Sequence, residues 1–122
     1  MTTESEMWGL VTSDPTVQAL VGDRIYPGRL PTDPTLPAVT YRLISSPRIQ
    51  TQTGPAFAQP RYRWDCWSLV YDEAVAVAIA IAIASGGFKA WVDDEGDHPE
   101  EATGLFRRRL ETRAFTKPEE RP

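Results

Sequence analysis

Between Ala74 and Ala84 every second residue is alanine, and the positions between are Val75, Val77, Ile79, Ile81 and Ile83. This segment limits the possible folds more than any other. A strict period of two is the pattern of a half-buried strand, but three features oppose that reading. Asp72 and Glu73 place carboxylates where the positive end of a helix dipole would lie. Alanine, the strongest helix former, fills alternate positions, and Gly86-Gly87 supplies a stop. A helix over about residues 72–86 is therefore expected. At about 100° per residue, Val75, Ile79 and Ile83 gather on one side while Val77 and Ile81 fall roughly opposite. Such a helix needs cover twice. One side can rest on a sheet; the other must be met either by Met7, Trp8 and Leu10 of the N-terminal segment or by a second subunit.

The rest of the chain supplies the sheet. Its 122 residues suffice for a single domain with its own core, spanning 1–122, with a charged tail at 117–122 expected to fray. Asp14-Pro15 reads as a helix start, followed by the apolar stripe Val17, Leu20 and Val21 and by Gly22 as a stop. Pro27, Pro31, Pro34 and Pro37 then impose a stiff irregular connector, in which Ile25 and Tyr26 can form a short edge strand. Alternating apolar positions predict strands at 38–46, 61–70, 88–93 and 105–116. Between the first two lies Pro47 to Pro60, too long for a tight turn and nearly free of core residues, which reads as a projecting hairpin arm. The expected fold is α+β: a four-stranded, mainly antiparallel sheet packed by the central helix and an N-terminal helical segment, with the arm at about 47–60.

Composition removes several functional classes. Hydrophobic residues are 41% and charged residues 25% of the chain, within the globular range. The formal charge of −4 argues against a dedicated DNA-binding domain. One cysteine, Cys66, and one histidine, His98, leave disulfide, metal and acid–base chemistry under-equipped, so no enzyme, cofactor or metal is expected. Cys66 falls on an inward strand face and reads as a buried structural thiol; His98 reads as a surface residue. Residues 93–101 hold six carboxylates, yet a calcium loop would need a glutamate where Ala102 stands. A solvated acidic hairpin is the better reading. The longest apolar run is eleven residues, against the roughly 20 of a membrane span, and Met1 to Glu6 lack the basic-then-apolar order of a signal peptide. A soluble protein of a reducing cytoplasm, or a component of a particle assembled there, with no membrane partner, is expected.

Charge is segregated. Residues 24–63 carry six arginines against Asp33 alone, and Arg107, Arg108, Arg109 and Arg113 follow the acidic run. One reading is a nucleic-acid face built on Arg42, Arg61, Arg63 and Tyr62. The other is self-complementarity, with the basic arm of one subunit meeting the acidic loop of the next, and the negative net charge favours it. Candidate interface residues are Arg24, Tyr26 and Arg29 in the connector, Arg48, Gln50 and Gln52 in the arm, and Asp93, Asp94 and Glu95 on the opposing edge.

The ordered runs VQALVGDRIYPGRLP (17–31), LPAVTYRLIS (36–45), RYRWDCWS (61–68) and YDEAVAVAIAIA (71–82) resemble the tail-completion proteins of long-tailed bacteriophages. These are similar in fold to the lambda-type tail terminator and also occur in prophages and gene transfer agents. The resemblance spans about residues 8–92. It implies a structural virion protein without catalytic residues or cofactor, forming a hexameric homo-oligomer at the head-proximal end of the tail and assembled in the bacterial cytoplasm. The implied partners are the tail tube protein below and a head–tail connector (stopper) protein above, with DNA passing through the channel without specific binding. On this view few arginines line the lumen and most form pairs between subunits or rings. A component on the head side of the joint is the alternative within the same setting.

Overall fold

Asp14 ends one helix and starts the next. In the computed structural model, which describes residues 3–49, 57–86 and 90–114, α1 (Thr3–Ser13) is followed by α2 (Pro15–Val21). The Asp14 carboxylate accepts from the Thr16 and Val17 N–H groups at 2.9 and 3.1 Å, satisfying donors that the first turn leaves orphaned. Gly22 closes α2 at φ 60°, a conformation that costs a residue with a Cβ. Met7, Val11, Val17 and Val21 are fully buried, so both helices contribute one face to the core.

The sheet has five strands rather than the four expected, in the order β1 (25–27), β2 (38–45), β5 (61–68), β7 (106–113) and β6 (91–97). The extra strand is the short edge foreseen around Ile25: β1 (Ile25–Pro27) lies parallel to β2 (Ala38–Ser45), Ile25 opposite Val39. β2 pairs antiparallel with β5 (Arg61–Ser68), and β5 with β7 (Phe106–Arg113). Between β2 and β5, β3 (Arg48–Ile49) and β4 (Phe57–Ala58) form a separate two-stranded ladder, the stem of the expected arm. Gln50 and Gln52, Phe88 and Lys89, and the tail at 117–122 lie outside the described residues.

The strand expected at 88–93 is instead β6 (Trp91–Asp97), so the acidic run begins within the sheet and not in a loop. Aspartate and glutamate are poor strand formers, but here Arg108 of β7 reaches two of them. Arg108 Nε lies 2.7 Å from Glu95, and Arg108 Nη1 lies 2.8 Å from Asp97. Cross-strand charge pairing outweighs intrinsic preference.

The alternating segment is helical, as α3 (Tyr71–Ser85), and packs on β5 and β7 as well as on α1 and α2. Its start is fixed by Ser68, whose hydroxyl donates to Glu73 at 2.6 Å and accepts from the Val70 N–H at 3.1 Å. Val77 and Ile81 are buried with Ala74, Ala78 and Ala84, the alanines permitting close approach to the sheet. They meet Val39, Tyr62, Trp64, Cys66 and Leu110 in one core.

Candidate assembly interface

Alternation divides the sheet into two faces of different chemistry. On the face turned to α3, β5 presents Tyr62, Trp64 and Cys66. On the open face Arg61, Arg63, Asp65 and Trp67 stand opposite Arg113, Glu111, Arg109 and Arg107. Opposite charges there pair. Arg63 Nη2 lies 2.8 Å from Glu111 and Arg109 Nε 3.0 Å from Asp65. Asp93, at a register shift in β6, reaches Arg61 at 3.4 Å and Arg113 at 3.1 Å; the Arg113 contact is an ion pair without hydrogen-bond alignment. The Arg107 guanidinium sits 4.8 Å from the ring centroid of Trp67, whose indole N–H donates to Thr40 Oγ1 at 3.0 Å. A cleft of about 430 Å³ opens beside this pair, between the connector (Gly28, Arg29, Pro34) and the turn carrying Glu100 and Thr103.

Apolar surface is left on the other side. Ile79 is 52% and Ile83 72% exposed on the outer face of α3, with Val75 half-buried in line with them. The N-terminal helices do cover part of α3, but not this stripe. Further exposed apolar side chains are Leu69, Val70 and Tyr71 at the β5–α3 turn with Phe106 at the start of β7. Tyr71 and Phe106 pack edge to face, centroids 5.6 Å apart. There the Tyr71 hydroxyl donates to Asp97 at 2.9 Å, and Arg108 bridges Glu95 and Asp97. The arginine, and after it the tyrosine, hold the Asp97 carboxyl below its ordinary range; the same hydrogen bond pushes the Tyr71 hydroxyl up.

A family model described as tail completion protein gp17 matches residues 5–117. The chain belongs to that family. It is a structural tail protein of bacteriophage-type virions. Among solved structures, a chain from the virion of a native gene transfer agent particle superposes with a TM-score of 0.78 at 18% identity, over 95% of each chain, and shares the fold. No curated protein matches the sequence. No described helix is long and apolar enough to cross a membrane.

The expected interface residues of this tail completion protein do not form one cluster. Arg24 is turned into the chain, donating to Pro37 O at 2.9 Å and Leu20 O at 3.4 Å, and so ties the connector to the end of α2. Tyr26 is half-buried opposite Thr40, while Arg29 is exposed at the cleft. Arg48 is exposed on the arm stem; Gln50 and Gln52 lie outside the described residues. Asp93 and Glu95 have arginine partners within the chain, and Asp94 is exposed without an ion pair among the described residues. Most arginines were expected to pair between subunits or rings, yet five of them, Arg61, Arg63, Arg108, Arg109 and Arg113, have carboxylate partners in their own chain. The nucleic-acid reading loses its composite face too: Tyr62 is buried under α3, and Arg61 and Arg63 are paired. Cys66 is buried, and burial pushes its thiol up. His98 is exposed, and among the described residues no group of three His, Cys, Asp or Glu is placed to hold a metal. Sequence reasoning missed the Arg107–Trp67 stack and the cleft beside it. The signal was present: Trp67 and Arg107 both fall on outward positions of their strands.

Proposed function

We propose that the chain closes with identical copies into a ring, a hexamer, that caps the tail tube at its head-proximal end. There it stops tube polymerisation and offers the surface to which a head connector docks. What carries the reading is the outward stripe of α3. A strand or helix that leaves two isoleucines and a half-buried valine in water without using them is unfavourable by roughly 25 cal/mol per Å² of apolar surface, and patches of this kind mark contact sites. Membership of the tail completion family supplies the setting. Arg29 and Tyr26 of the connector, Arg48, Gln50 and Gln52 of the arm, and Asp94 on β6 are proposed as further contacts between copies, apart from the stripe. Arg24, Asp93 and Glu95 contribute by holding the connector and the β6 edge in shape. The bore then carries few free cations, which lets DNA pass without retention.

Negative-stain images and light scattering on the purified protein test the ring, and addition to polymerising tube subunits tests the cap. Rings of uniform size and tubes of arrested length are expected. A chain that stays monomeric both in solution and on tube ends overturns the proposal.

A further inference from the structure

Five arginines on the sheet meet carboxylates of their own chain, which makes two others conspicuous. Arg29 and Arg42 are exposed, both line the 430 Å³ cleft, and neither has an ion-pair partner among the described residues. They stand on the β1–β2 side of the sheet. At the opposite edge, Asp94 of β6 lies across from Glu111, whose charge is taken by Arg63. Asp94 itself is exposed and without an ion pair among the described residues. The open face is therefore polarised across its five strands, cationic at one edge and anionic at the other, with neutralised pairs between.

We propose that these two edges meet between copies: the β6 edge of one protomer, Asp94 foremost, seats at the cleft of the next, where Arg29 and Arg42 receive it. The inference rests on the ring reading and specifies which surfaces close the ring. Because the two edges are different surfaces, the contact is head-to-tail, and such contacts generate closed rings when the rotation permits. Arg42 is held on a strand, so its guanidinium is presented from a fixed backbone, and arginine suits bidentate capture of a carboxylate. Nucleic acid is the competing occupant. It fits less well, because following a phosphate backbone takes a stripe of free cations, and the arginines flanking this cleft are stacked on Trp67 or paired with Asp65.

The test uses four full-length proteins: wild type, Arg29→Glu/Arg42→Glu, Asp94→Arg, and the three substitutions combined. All positions are exposed, so circular dichroism and unfolding midpoints should match. Sedimentation at low salt is expected to show self-association weakened at least about tenfold in the first two variants, since like charges are brought face to face. The combined variant should recover to within about threefold of wild type, its charges being swapped but complementary. Rings in Arg29→Glu/Arg42→Glu as stable as in wild type overturn this inference and leave the ring reading standing. Loss of DNA retention in that variant with unchanged assembly makes nucleic acid the occupant and also overturns it. A wild type that never leaves the monomer overturns the ring reading, and the inference with it.

Discussion

Trp64 is fully buried and carries an N–H that must find a partner there. It donates to Thr112 Oγ1 at 3.2 Å, across the β5–β7 pair. Thr112→Val keeps the shape and removes the acceptor, and the orphaned indole should cost about 1–3 kcal/mol, read as a lower urea midpoint at unchanged slope. Cys66 gives a second residue-level expectation. Burial disfavours its thiolate, so a thiol reagent at mildly alkaline pH should leave the native protein unlabelled and label it stoichiometrically in denaturant. Both residues were legible in advance, because strict alternation along 61–68 assigns them to the core side. Arg108 was not. Its position on the same face is legible, but its three partners, Glu95, Asp97 and Tyr71, converge only because a register shift in β6 brings two acids to one guanidinium. That cluster titrates at both ends. Asp97 is held below its ordinary value by Arg108 and then Tyr71, so its stabilisation is complete above the usual carboxylate range and is lost as pH falls through the lowered value. Tyr71 is raised by Asp97, so its share is present below the usual tyrosine range and is lost as pH rises through the raised value. Asp97→Asn should flatten both limbs of the stability–pH profile and leave the neutral plateau almost level.

Among the elements, α3 shows how a misleading pattern was resolved. Wound at 3.6 residues per turn, a period of two sends Val77 and Ile81 to one side and Val75, Ile79 and Ile83 to the other. Sequence alone gave these two groups but not which would meet the sheet. The choice followed from three-dimensional fit: the Val77–Ile81 side also carries Ala74, Ala78 and Ala84, whose small side chains let β5 and β7 approach. The two sides should therefore answer differently to mutation. Ile81→Ala opens a cavity in a packed core and should cost about 2–5 kcal/mol. Ile79→Asp and Ile83→Asp lie on exposed positions and should change monomer stability by about 0.5 kcal/mol or less, while abolishing ring assembly. Thermal unfolding paired with light scattering separates the two outcomes; rings that survive both aspartates would remove α3 from the interface. β6 marks the opposite limit of legibility. Four acidic residues within Trp91–Asp97 look like a solvated loop, and only the cross-strand arginines of β5 and β7, distant in sequence, make the segment a strand. Long-range compensation of this kind leaves no local trace.

For the whole molecule the same pairing decides how DNA would see it. Five arginines and five carboxylates, Asp65, Asp93, Glu95, Asp97 and Glu111, cancel within the chain. The formal charge of −4 is therefore carried by the remaining groups. Among the described residues a phosphate backbone meets few cations without a carboxylate partner, of which Arg29 and Arg42 lie together at one cleft. Each phosphate neutralised contributes a slope of about −0.9 to the log–log salt dependence, so two contacts give less than about 2, where six or more sustain ordinary non-specific binding. Fluorescence anisotropy with duplex DNA at about 150 mM salt should thus show no saturation below about 10⁻⁴ M. If the ring forms, assembly should lower the residual binding further, since Arg29 and Arg42 are then occupied by the neighbouring copy. Micromolar binding with a slope near six would mean that the ion pairs on the open face exchange their carboxylates for phosphates, and a bore built from this surface would then hold DNA instead of passing it.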